Sequence, residues 1–269
     1  MDTIGFIGSG NMAEALIRGI ITAGVCEPQG IRISDVRQER LTELADRYGV
    51  KGCDSNSQVA EQADIVILSV KPQKMDEALQ SLGPVAGNVK LFVSIAAGVK
   101  VAKLASVLGD VPIVRVMPNT PALIGQGASA LFANEKARPQ LDKALSIFSA
   151  VGKAVVVEDE DLIDVVTAVS GSGPAYFFLL MEAMTGAAVS LGLPPQIAGE
   201  LVLQTAKGAG LLATEAAGNG EDPAQLRRKV TSPGGTTEAA VDVLATNGFQ
   251  RLVDMALTAA RDRSRELSG

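Results

Sequence analysis

The chain opens on its strongest constraint. Residues 3–7 (T-I-G-F-I) form a short apolar run of strand formers, Gly8-Ser9-Gly10-Asn11-Met12-Ala13 follows with no spacer, and a helical pattern starts at Glu14. A G-x-G-x-x-A sequence is weak alone, but between a strand and a helix it specifies a dinucleotide-binding turn. Gly8 permits the tight turn, and Gly10 lets the main chain approach a pyrophosphate where a Cβ would collide. Ala13 is small enough for the helix to pack on the strand. The unpaired N–H groups at the helix start then face the phosphates, whose charge the helix dipole favours. The same residues could form a plain strand–turn–helix corner, and their place directly after a strand favours the cofactor.

The alternation continues. Residues 31–35 read as a second strand, ending about twenty residues past the glycine turn, where the ribose-reading residue belongs. Asp35 would accept from the 2′-hydroxyl of NAD and repel a 2′-phosphate, whereas Ser34 and Arg37 could bind that phosphate. Both NADH and NADPH therefore stay open, and Asp35 could also simply cap a turn. Residues 39–48 form an amphipathic helix with Leu41, Leu44 and Ala45 inward. Residues 65–70 (I-V-I-L-S-V) are a continuous apolar run, the pattern of a strand buried on both faces, and end in Lys71-Pro72. Ligands of open parallel sheets sit beyond the carboxyl ends of the strands. Lys71 is thus placed to touch a cofactor, or else is an exposed loop lysine. Further strands follow at 91–95, ending in Ala96-Ala97-Gly98, and at 113–117. An edge strand is expected at 128–132 and a last strand at 154–157. This predicts an α/β fold over 1–160, a Rossmann-type doubly wound parallel sheet.

After the acidic run 158–161 no strand pattern remains, and 161–269 reads as an all-helical domain. Ser170-Gly171-Ser172-Gly173-Pro174 breaks its first helix and reads as a helix–helix corner. The apolar run 175–181 is too short to span a bilayer before Glu182. These helices hold more Ala, Leu and Val than a bundle of this length buries alone, which predicts dimerisation. Ser232-Pro233-Gly234-Gly235-Thr236-Thr237 opens another helix. It offers free N–H groups and hydroxyls to a small carboxylate, or its Gly235 or Thr236 merely caps the helix; composition leaves the two even.

At 269 residues the chain can bury roughly 70–75% of its unfolded surface without disulfides or metals. A formal net charge of −6 speaks against nucleic acid. The chain has no histidine, so no Ser-His-Asp triad, Cys-His pair or imidazole metal site can exist. Its two cysteines, Cys26 and Cys53, lack metal-ligand spacing and read as reduced packing thiols of a cytoplasmic protein. No basic segment precedes a long apolar one as in a signal peptide, and no membrane association is expected.

Across its length the chain resembles the pyrroline-5-carboxylate reductases. The likeness is carried by F-I-G-S-G-N-M-A at 6–13, V-K-P at 70–72, A-A-G-V at 96–99, M-P-N-T-P at 117–121 and D-L-I-D at 161–164. S-G-S-G-P-A-Y at 170–176 and S-P-G-G-T-T at 232–237 are its most specific blocks. The resemblance implies NAD(P)H-dependent reduction of 1-pyrroline-5-carboxylate to L-proline. It places Gly8, Ser9, Gly10, Asn11, Met12, Ser34 or Asp35, Asn56, Val70, Lys71, Pro72 and Ala97 at the cofactor. It places Glu160, Ser232, Gly235, Thr236 and Thr237 at the substrate, with Thr237 as the catalytic group on the ring nitrogen. It also implies an interlocked dimer, further association into a decamer, and NADPH as the usual cofactor with NADH possible. Asp35 departs from the hydroxyl often found nearby. The missing histidine fits, because a cyclic imine that binds already protonated needs orientation more than a strong acid. A 3-hydroxyacid-type dehydrogenase would need a lysine in a glycine-rich helix, and the surroundings of Lys207-Gly208 do not match. A dinucleotide-sensing regulator would need a partner surface or a basic DNA-reading helix, and the acidic charge speaks against DNA.

Overall fold

A computed structural model describes residues 1–268; residue 269, the end of the expected second domain, lies outside the described residues. The strands are β1 (Ile4–Ile7), β2 (Ile31–Ser34), β3 (Lys51–Gly52), β4 (Ile65–Leu68), β5 (Leu91–Ser94), β6 (Ile113–Met117), β7 (Gly127–Ala133) and β8 (Gly152–Val156). They form one sheet in the order β3-β2-β1-β4-β5-β6-β7-β8. Helices α1 (Asn11–Thr22), α2 (Gln38–Tyr48), α3 (Asn56–Gln62), α4 (Met75–Leu82), α5 (Val101–Leu108) and α6 (Leu141–Ser149) join them. Alternate strand residues feed two cores. Ile4, Phe6, Ile33, Ile67 and Val93 pack with Leu16, Leu44 and Phe148 on one face, and Ile7, Val66, Leu68 and Phe92 pack with Val59, Leu79 and Leu104 on the other. Burial on both faces explains the unbroken apolar runs of β1 and β4. The chain order reverses between β1 and β4, which opens the crevice where ligands of such sheets bind.

Two expectations about the sheet need correction. The strand expected at the edge, β7, lies inside the sheet and runs antiparallel to β6, while β8 pairs parallel to β7 and forms the edge. The link from Met117 to Gly127 is shorter than the dozen or more residues of a parallel crossover, so the chain turns back. The link from β7 to β8 carries α6 and restores a parallel step. The exposed two-residue β3 at the opposite edge has no periodicity to announce it.

The second half is helical: α7 (Leu162–Val166), α8 (Gly173–Ser190), α9 (Pro195–Gly218), α10 (Pro223–Lys229), α11 (Thr236–Thr246) and α12 (Phe249–Leu267). The expected corner at 170–174 is instead a π-helical turn, Thr167–Gly171, that leads almost directly into α8. Ser172 N donates to Thr167 O at 2.8 Å across it. The helical stretch Leu162–Ser190 is therefore long and apolar enough to cross a membrane by length and composition, which 175–181 alone is not. Backbone contacts divide the chain into two compact units. One is Met1–Pro174 with the segment from Leu257 on, and the other is Ala175–Ala256. The second unit leaves Phe177, Phe178 and Leu179 at least 60% exposed, an apolar surface larger than a solitary bundle keeps in water.

Candidate active site

The glycine turn after β1 is built on two different demands. Gly8 has φ +89°, and a Cβ on it would sit 2.9 Å from Val70 Cγ1 and 3.1 Å from Ser69 O, so only glycine fits. Its N–H donates to Ser34 O at 2.9 Å, and Ser69 Oγ donates to its carbonyl at 2.6 Å. Gly10 caps α1 at an ordinary φ of −73° with no side-chain cap, and a Cβ there would meet no atom of the described residues within 4 Å. The first N–H groups of α1 have no intrahelical acceptor. The space before Gly10 is thus open and lined by donors, as a pyrophosphate requires.

At the end of β2, Asp35 is tied into that turn. Its Oδ2 accepts from Ser9 N at 2.9 Å, and its Oδ1 accepts from Arg37 N and Arg37 Nε at 3.0 Å each. Burial pushes the Asp35 carboxyl up, but the Arg37 guanidinium and the Ser9 and Arg37 N–H groups outweigh it and hold the carboxyl below its usual value. Ser34 is buried, and its Oγ donates to Asn56 Oδ1 at 2.8 Å. Arg40 Nε donates to Ser9 O at 2.9 Å while its other nitrogens pair with Glu14 and Glu43, so α2 holds the turn from outside.

The sheet gathers the remaining expected cofactor residues at its carboxyl edge. Val70 is half-buried against Gly8, Lys71 and Pro72 are exposed after β4, and Ala97 is exposed after β5. Asn11 is exposed and Met12 half-buried at the start of α1. Among the described residues, neither Lys71 nor Ala97 hydrogen-bonds to another of these positions.

Glu160 belongs to a cluster that sequence reasoning did not find. Its Oε1 accepts from Val101 N at 2.8 Å, at the start of α5, and from Arg115 at 3.0 Å. Arg115, in mid-β6, is only 1% exposed, and its second guanidinium nitrogen lies 3.7 Å from Asp164 Oδ1. Ser264 Oγ on α12 donates to the same oxygen at 2.7 Å. The only signal in the sequence is one arginine inside the apolar run I-V-R-V-M. Two of the blocks that carry the resemblance, 117–121 and 170–176, also meet here: Asn119 Nδ2 donates to Ser170 O at 3.0 Å, and a Cβ on Gly171 would press on Met117 Cε. Four residues on stands Pro174, which has no N–H to give that carbonyl.

In the second unit, Gly235 caps α11 with no side-chain cap, and Thr236 and Thr237 occupy its first turn. Gly235 N donates to Ser232 O at 3.0 Å, and Gly234 N donates to Glu238 at 2.7 Å. Neither threonine caps the helix, which leaves its early N–H groups to an anion. Thr237 is half-buried and Thr236 and Ser232 are exposed.

Known proteins share this design. Residues 160–267 match a family described as pyrroline-5-carboxylate reductase dimerisation, and residues 3–98 match one described as NADP oxidoreductase, coenzyme F420-dependent. The chain is 50% identical over 267 residues to a pyrroline-5-carboxylate reductase of Pseudomonas aeruginosa, covering 98% of this chain and 96% of the relative. It is similar to the structure of such a reductase from Coxiella burnetii, with a TM-score of 0.94 and 41% identity over 100% of this chain and 99% of that one. The Plasmodium falciparum enzyme, solved with NADP bound, is similar at a TM-score of 0.86 and 30% identity, over 100% of this chain and 98% of that one. By identity along its whole length and by its dimerisation segment, the chain belongs to the pyrroline-5-carboxylate reductase family.

Proposed function

We propose that two uncapped helix starts divide the work, α1 holding the hydride donor and α11 the carboxylate of the acceptor. The reaction is the NAD(P)H-dependent reduction of the C=N bond of 1-pyrroline-5-carboxylate to L-proline, the last step of proline biosynthesis. The observation that carries the division is the open space before Gly10 together with the uncapped start at Gly235. A bound NAD(P)H supplies the hydride. Gly10, Asn11 and Met12 hold its pyrophosphate by main-chain N–H groups and close approach, and Gly8 and Ser9, whose own N–H groups are bonded to Ser34 and Asp35, shape the turn it rests on. Asp35, Asn56, Val70, Lys71, Pro72 and Ala97 bind the rest of it, with Ser34 acting through Asn56. Gly235, Thr236 and Ser232 take the substrate carboxylate, Glu160 offers negative charge to the protonated imine, and Thr237 steadies the ring nitrogen as its carbon accepts hydride. Holding both reactants in near-attack geometry can supply about 7–11 kcal/mol, so no strong acid is needed.

The 2′ position is read by Asp35 and Arg37 together. Arg37 neutralises the carboxylate and leaves N–H donors for a phosphate, which favours NADPH while NADH remains usable. In this reading 1–160 is the dinucleotide-binding domain, and 161–269 carries substrate binding and dimerisation. The chain self-associates through its dimerisation segment, and we infer that the dimers join into a decamer. Buried, unpaired Cys26 and Cys53 favour the cytoplasm. Comparing the oxidation of NADPH and NADH with pyrroline-5-carboxylate tests the cofactor reading, and a higher kcat/KM with NADH would reject it. Light scattering tests the assembly, and a mass of one dimer would reject the decamer.

A further inference from the structure

We propose that Arg115 and Ser264 are positioning residues for the reduction: Arg115 fixes the carboxylate of Glu160 directly and Ser264 acts on it through Asp164 and Arg115, so the end of the last helix sets the acceptor side of the site. The inference rests on the assignment of Glu160 to the substrate made above.

The cluster is a chain of direct contacts inside one compact unit. Ser264 and Asp164 are 5% and 0% exposed, and Ser264 Oγ donates to Asp164 Oδ1 at 2.7 Å. That oxygen lies 3.7 Å from Arg115, which donates to Glu160 at 3.0 Å. Asp164 Oδ2 has no hydrogen-bond partner among the described residues. One buried guanidinium thus serves two carboxylates, and one carboxylate oxygen is left bare. Apolar side chains of similar volume would hold β6 and α12 together with less desolvation. What they could not do is aim a carboxylate. Glu160 is the member of the cluster that is only partly buried, 19% exposed at its side chain, so its other oxygen remains available.

The same end of α12 reaches the donor side. Gly98 has φ +71°, and a Cβ on it would stand 3.1 Å from Leu267 O. The last turn therefore rests on the loop that presents Ala97, three residues beyond its bond to Asp164. Glu160 closes the circuit by accepting from Val101 N, just past that loop.

The test uses the full-length enzyme with NADPH and pyrroline-5-carboxylate, and the variants Ser264→Ala, Ser264→Thr, Arg115→Lys, Glu160→Ala and Ser264→Ala/Glu160→Ala. Ser264→Ala should raise KM for the imine roughly fivefold and leave the NADPH Kd within about twofold, while Ser264→Thr restores KM. In the Glu160→Ala background, Ser264→Ala should add less than about a twofold further change, because both act through one carboxylate. Arg115→Lys should exceed Ser264→Ala; if it does not fold, the Ser264 variants decide alone. Wild-type constants in a folded Ser264→Ala, or effects of Ser264→Ala and Glu160→Ala that multiply in full, overturn the proposal. Wild-type constants in Glu160→Ala instead overturn the assignment of Glu160 to the substrate, and this inference falls with it.

Discussion

The main-chain N–H of Ser9 donates to Oδ2 of Asp35 at 2.9 Å. The carboxylate at the end of β2 is therefore stitched to the glycine turn, and Arg37 covers its other oxygen. Removing Arg37 leaves an unpaired negative charge facing any 2′-phosphate. Arg37→Ala should raise KM for NADPH roughly tenfold and move KM for NADH by less than about twofold. Initial rates with each cofactor at saturating imine check this, and equal shifts for both would remove Arg37 from the discrimination.

The two glycines of the turn should fail in different ways. Gly8→Ala puts a Cβ at φ +89° against Val70 and Ser69 and should destabilise the fold by about 1–3 kcal/mol. Gly10→Ala has an allowed φ and open space, so its denaturant midpoint should stay at the wild-type value. Its NADPH affinity should fall more than roughly tenfold, because the new methyl occupies the place of the pyrophosphate. Unchanged NADPH binding by Gly10→Ala would show that the cofactor lies elsewhere.

Stability should depend on acid through Asp64. Lys90 at 2.8 Å and the Thr3 N–H at 2.9 Å hold its carboxyl at about 2, below the ordinary 3.8. A depressed pKa stabilises the fold above pH 3.8 and loses that contribution as pH falls through about 2. Asp64→Asn should cost about 1 kcal/mol at neutral pH, once solvent screening of this partly exposed group is counted. Urea denaturation of both proteins should show the gap closing between pH 4 and pH 2; a gap independent of pH would contradict it.

The local parts of this molecule were legible in its sequence. Gly8, Gly10 and Ala13 act within one turn, the run of β1 announces a strand, and that of β4 a strand buried on both faces. The direction of β7 depends on the length of a link, and the π turn at Thr167–Gly171 meets Met117 at the end of β6 and Asn119 just past it. Neither is encoded in periodicity. Arg115 is a lone charge in an apolar run, its partner Glu160 lies 45 residues on, and Asp164 meets Ser264 only 100 residues later.

The division of labour between the helix starts of α1 and α11 is tested most directly at Thr237. Turnover and NADPH binding are measured on wild type, Thr237→Ala and Thr237→Ser with pyrroline-5-carboxylate as substrate. Thr237→Ala should lower kcat roughly tenfold or more by removing a hydrogen bond to the reacting nitrogen. The NADPH Kd should be unchanged, and Thr237→Ser should recover most of the loss. A wild-type kcat in Thr237→Ala, or a loss that appears in NADPH affinity instead, would contradict the assignment of the acceptor to α11.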